Sequence, residues 1–224
     1  MHVSRREWML KALDFFKGPI NALEIGTWFG TGSTQLWLDH LHEGSTLTLV
    51  DMWGAKQFVG SRNLQMRDHP DSIIDDAFQS TYNKIKEFES KDKDIRINMI
   101  RAQSKPFLSE LRSNHYDFVY VDGGHRYDEA RYDIQEGKRI LKTDGGIICG
   151  DDYELFPSEG KLSDMIANKN VDTAPRHPGV SMAIYDEFAA RVNVVNGFWW
   201  VFSHQGQFTR SFGAVDDNPL PSVF

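Results

Sequence analysis

The chain has a single cysteine, Cys149, in 224 residues, so no internal disulfide braces it, and a reducing, cytoplasmic setting is the expectation. It lacks any apolar run approaching the roughly 20 residues that a membrane-crossing helix needs. Its first twenty residues are rich in Arg, Glu and Lys and read as a helix rather than a secretion signal. Basic clusters are missing too. With 25 Lys and Arg against 32 Asp and Glu, the net charge is −7, which argues against a nucleic-acid or membrane-surface partner. There is no nucleophile elbow, P-loop or Cys/His pair, so covalent hydrolysis and phosphoryl transfer lose their usual signatures. No repeat, low-complexity tract or linker divides the sequence, and one domain over residues 1–224 is expected.

What is present is an alternation of short apolar runs and helical periods. Trp8, Leu10, Ala12, Leu13, Phe15 and Phe16 make an opening helix within residues 1–19, closed by Gly18-Pro19. Strands are expected at 22–26, 47–51, 96–100, 118–121 and 146–149, with helices at 33–41, 72–88, 107–111, 129–141 and 180–190. Strands near 192–195 and 198–202 follow the last helix, and residues 213–224, with Pro219 and Pro221, read as a tail. The stretch 53–71 has no clean period and contains Gly54, Gly60 and Pro70, so it reads as a mobile substrate loop. Repeated strand-helix alternation predicts an α/β, Rossmann-like three-layer sandwich. The sheet should have seven strands, mostly parallel, with an antiparallel hairpin at one edge.

Ligands of such sheets bind outside the carboxyl ends of the strands. Gly26, Gly30 and Gly32 follow the first strand, Asp51 ends the second, Gln103-Ser104 follows the third, Asp122 the fourth, and Asp151-Asp152 the fifth. The glycines are spaced G-x-x-x-G-x-G rather than G-x-G-x-x-G, which suits a nucleoside without a pyrophosphate. Asp51 is placed for ribose hydroxyls, although a loop carboxylate or helix cap is its ordinary alternative. Asp122, Asp151 and Asp152 come from two neighbouring strands and are expected to converge on a divalent cation, with Mg²⁺ favoured over Mn²⁺ or Ca²⁺. His125, three residues after Asp122, is either an exposed loop residue or a base for a substrate hydroxyl. The remaining histidines, His177 among them, show no metal spacing.

The segment Leu23-Glu24-Ile25-Gly26-Thr27-Trp28-Phe29-Gly30-Thr31-Gly32-Ser33 resembles the first motif of class I S-adenosylmethionine-dependent methyltransferases. Tyr120-Val121-Asp122-Gly123-Gly124-His125-Arg126-Tyr127, with Gly145 to Tyr153 after it, resembles a narrower group, the metal-dependent O-methyltransferases of macrolide sugars. Catechol O-methyltransferase is a more distant cousin. The resemblance runs over roughly residues 20–200. It implies that Glu24, Gly26, Gly30 and Ser33 surround the methionine end of the cofactor, with Asp51 at the ribose and Met52, Gln103 and Ser104 at the adenine. It further implies Asp122, Asp151 and Asp152 as metal ligands, and Asp122 with His125 as the catalytic groups.

The expected reaction is methyl transfer to a hydroxyl of a small molecule, such as a sugar or secondary metabolite. A metal-independent methyltransferase, an NAD(P)-dependent oxidoreductase and a non-catalytic cofactor-binding protein are the alternatives. The edge strands and the apolar first helix leave room for a homodimer.

Overall fold

The computed structural model describes residues 4–53, 71–156, 162–171 and 176–211. Helix α1 (Arg5–Leu13) opens with a capping box: the Ser4 hydroxyl accepts from the Glu7 amide and the Glu7 carboxylate from the Ser4 amide. It ends before Phe15 and Phe16, which apolar spacing had placed in the same helix. Those rings leave it to pack edge-on against Phe202 and Phe118 of the sheet, so tertiary contact overrides the helical period.

There follow β1 (Asn21–Ile25), α2 (Ser33–His40), β2 (Thr46–Asp51), α3 (Asp71–Glu89), β3 (Arg96–Arg101), α4 (Ser104–Glu110), β4 (Phe118–Val121), α5 (Tyr127–Ile140) and β5 (Gly146–Tyr153). Then come α6 (Leu162–Asn168), α7 (Pro178–Phe188), a 3-10 turn (Ala189–Arg191), β6 (Asn193–Val195), β7 (Gly197–His204) and β8 (Gln207–Thr209). Residues 54–70, most of the expected substrate loop, and the expected tail at 213–224 lie outside the described residues.

Among the described residues, eight strands form one sheet in the order β3-β2-β1-β4-β5-β7-β6, with β8 also on β7. Strands β1 to β5 run parallel, and β7 is antiparallel to β5. The sheet thus has the expected seven strands and one more. The outer edge of β7 is shared: β6 pairs with Phe198–Trp200 and β8 with Phe202–His204. Both connections are two-residue turns with positive φ at each position, Asn196-Gly197 (50°, 84°) and Gln205-Gly206 (49°, 74°). Such turns match the twist of the strands they join.

Side-chain alternation sorts the sheet into two cores. Leu23, Ile25, Val119, Val121, Ile148, Trp199 and Val201 face α5 and α7. Ala22, Phe118, Tyr120, Ile147, Cys149, Phe198 and Trp200 face α1, α2 and α3. Every one of these positions is buried, which is why the central strands β4 and β5 read as continuous apolar runs. The result is helix, sheet, helix. No helix among the described residues is long and apolar enough to cross a membrane.

Candidate active site

Strand order reverses between β1 and β4, and a cleft with a volume of about 880 Å³ opens there. Its floor is a close backbone crossing. The Asp122 amide donates to the Ile25 carbonyl at 2.8 Å, and a Cβ on Gly26 (φ 85°) would sit 1.8 Å from the Asp122 carbonyl oxygen. Only glycine fits that position. Gly30 (φ 65°) serves packing instead, because a Cβ there would press on Thr81 of α3.

Asp51 holds the glycine turn in place. One carboxylate oxygen accepts from the Thr27 and Trp28 amides, both at 2.8 Å, and the other accepts from the Trp53 amide at 2.8 Å. The carboxylate still lines the cleft, as do Gly26, Ser33, Met52, Gln103 and Ser104. Glu24 does not line it. It is fully buried behind the turn, where its carboxylate accepts from the Ser33 hydroxyl and, at 2.7 Å, from the Thr34 hydroxyl. Burial pushes its pKa up to about 7. The same holds for Asp133 on the opposite wall. This cleft residue is 1 % exposed, and burial raises its pKa to about 7, with one carboxylate oxygen making no hydrogen bond.

Asp122 lines the cleft, and Asp151 and Asp152 line a small adjoining pocket that shares Asp122 and His125 with it. Asp151 forms an ion pair with Arg5 of α1. Arg5 also donates to the Tyr120 hydroxyl at 3.3 Å, and that hydroxyl donates to Asp122 at 3.5 Å. Burial and the nearby Asp151 and Asp152 push the Asp122 pKa well above the carboxylate range. Burial raises Asp151 to about 6 against the pull of Arg5. Asp152 points elsewhere. One of its oxygens lies 3.3 Å from His125 Nε2, and the other lies 3.3 Å from Nδ1 of His177, which immediately precedes α7.

The expected ligand set of Asp122, Asp151 and Asp152 is therefore not gathered at coordination distance. Asp151 and Asp152 diverge where β5 becomes irregular: Asp152 has a φ of 68° and the β5–β7 register shifts beside it. Among the described residues, the cluster whose ligand atoms all lie within 4.8 Å of one another is His125, Asp152 and His177. Sequence spacing missed His177 because 51 residues and two helices separate it from His125. It missed Arg5 as well, although the Ser4-x-x-Glu7 signature marks the helix start that places it.

No curated protein sequence matches the chain. A family model described as a methyltransferase domain matches residues 23–153, which takes in Glu24, the glycine turn, Asp51, Asp122, Asp151 and Asp152. Among solved structures, the O-methyltransferase from Bacillus cereus in complex with S-adenosylhomocysteine is 19% identical, with a TM-score of 0.51. The match covers 89% of this chain and 80% of that one. The O-methyltransferase TomG from Streptomyces achromogenes, involved in tomaymycin synthesis and solved with S-adenosylmethionine, is 17% identical, with a TM-score of 0.54. Here 90% of this chain and 81% of that one are covered. At such identity these likenesses concern the fold, while the family match spans more than half of the chain. The chain belongs to the methyltransferase-domain family.

Proposed function

We propose that the chain methylates a hydroxyl of a small molecule, such as a sugar or secondary metabolite, with a divalent cation at the acidic end of the cleft. The observation that carries this reading is that Asp51 and Asp122 face one glycine-floored cleft from either side of the strand-order switch. In this reading Asp51 receives the ribose hydroxyls, while Met52, Gln103 and Ser104 border the adenine. Gly26 lets the nucleoside lie against backbone, and Ser33 borders the methionine end.

The donors at the acidic end fit a cation. Asp122 lies in the field of Asp151, Asp152 and Glu24, each of which raises its pKa, and carboxylates packed in this way favour a neutralising proton or ion. The bound cofactor supplies a methyl carbon on a positive sulfonium, and a bound cation supplies a lowered hydroxyl pKa. The chain's own task is alignment and proton removal. Asp122 and His125 are the groups at that end of the cleft able to accept the hydroxyl proton.

The Arg5–Asp151 pair favours a second reading, a methyltransferase that needs no cation, because Arg5 already neutralises one of the three carboxylates. Both readings are tested by following methyl transfer from labelled S-adenosylmethionine to a panel of sugars and phenols. With the cation, chelator abolishes transfer, and Asp152→Ala lowers it by about 100-fold or more while cofactor affinity stays within about twofold. Full transfer in chelator contradicts the cation and leaves the second reading.

A further inference from the structure

We propose that the divalent ion is held by His125, Asp152 and His177, with Glu154 beside them, and that it is a transition ion rather than magnesium. This deepens the cation reading above, on which it rests for the ion's purpose, and replaces the three-aspartate ligand set.

Three separate elements bring these donors together. His125 comes from the loop after β4, Asp152 from the irregular end of β5, and His177 from the residue before α7. His125 Nε2 and His177 Nδ1 approach different oxygens of Asp152, each at 3.3 Å, and His177 Nδ1 is also 3.3 Å from Glu154 Oε2. Despite two carboxylates so near, the buried Nδ1 atom of His177 makes no hydrogen bond. A polar atom that has lost water without gaining a partner is costly and rare in native folds. An ion between the imidazoles and the carboxylates satisfies it.

The surrounding packing holds this arrangement in place. The His125 and His177 rings lie 4.3 Å apart between centroids. Behind them, a Cβ on Gly179 would sit 2.4 Å from the His125 carbonyl oxygen and 2.3 Å from that of Lys169, so the start of α7 rests directly on the His125 loop. The Ser181 hydroxyl accepts from the Leu155 amide at 3.2 Å, fastening the turn after Asp152 to the same helix.

Ligand chemistry then selects the ion. Imidazole suits zinc, iron, cobalt and nickel, whereas magnesium takes oxygen ligands and keeps its waters. Two imidazoles and one carboxylate leave coordination positions for water or substrate oxygens, and His125 also lines the cleft. Asp151 is already engaged by Arg5. With His125 engaged as a ligand, Asp122 is left to take the hydroxyl proton.

The test is Co²⁺ titration of the metal-stripped, cofactor-free protein, read by visible absorption, with S-adenosylhomocysteine binding as the check that each variant is folded. Wild type is expected to bind one equivalent that a 100-fold excess of Mg²⁺ does not displace. His125→Ala and His177→Ala are each expected to weaken Co²⁺ about tenfold or more, since losing even an outer partner of a metal ligand costs that much. Unchanged Co²⁺ affinity in both variants overturns the histidine assignment and leaves a cation held elsewhere. If wild type binds S-adenosylhomocysteine but no Co²⁺, the cation reading falls with it.

Discussion

Glu24 shows how burial changes what a residue does. Its carboxyl group is fully enclosed and titrates near pH 7 rather than at its ordinary 4.5. A folded-state pKa raised above the unfolded one gives stability that is complete below about pH 4.5 and is lost as pH rises through about 7. Glu24→Gln keeps the side chain's shape and removes the ionisation. Relative to wild type, the variant should therefore gain stability as pH rises from 5 to 8, by on the order of 3 kcal/mol for the full shift. Denaturant melts across that range check it, and a pH-independent difference contradicts it. The family resemblance set Glu24 beside the methionine end of the cofactor, whereas its side chain lies buried behind the glycine turn, on a side of the strand that spacing does not reveal. Asp51 was legible because a carboxylate at the end of an apolar parallel strand has few other places to be. The Asp151-Asp152 pair was legible at the end of its strand, but the left-handed backbone at Asp152, which turns one carboxylate toward Arg5 and the other toward the histidines, was not.

At the level of elements, α7 is the part whose position matters most to the site. It carries His177 at its entrance and rests on the His125 loop through Gly179, where a side chain would meet three backbone atoms at 2.3 to 2.6 Å. The same loop is tied down by the Tyr127 amide, which donates to the Lys169 carbonyl at 2.8 Å. Gly179→Ala should destabilise the fold by about 1–3 kcal/mol, as overpacking does, and should weaken Co²⁺ binding along with it. Calorimetric melting and the cobalt titration measure the two effects, and a variant with wild-type values for both contradicts the packing argument. Strands β1, β2, β4 and β5 were legible because burial on both faces makes them largely apolar runs, whereas β3, half-buried at best, showed only as the apolar positions Ile97, Met99 and Ile100. The β7–β8 hairpin was not, because Gln205 precedes its glycine where Asn or Asp is the usual signal. Helix α6 escaped too, since it is only seven residues long and, of its apolar positions Leu162, Met165 and Ile166, only Met165 is buried.

For the whole molecule, side-chain alternation leads to the cleft. Period-two burial divides the sheet between two helical layers, and the strand order they enclose reverses between β1 and β4. The carboxyl ends of those strands then define one pocket, floored by Gly26 against Asp122 and walled by Asp51. This much followed from the sequence because it depends on strand order and strand ends. The partnership of His125 with His177 did not, because it depends on where a late helix docks.

The most direct measurement is a calorimetric titration of the purified chain with S-adenosylhomocysteine, repeated for Asp51→Ala and with NAD as the rival ligand. Wild type should bind one equivalent of the nucleoside and no NAD. Loss of hydrogen bonds to a charged group, worth about 1.5–3 kcal/mol, should weaken the variant by roughly 10- to 150-fold. Binding of NAD in place of the nucleoside, or an unchanged affinity in Asp51→Ala, would contradict the assignment of this cleft.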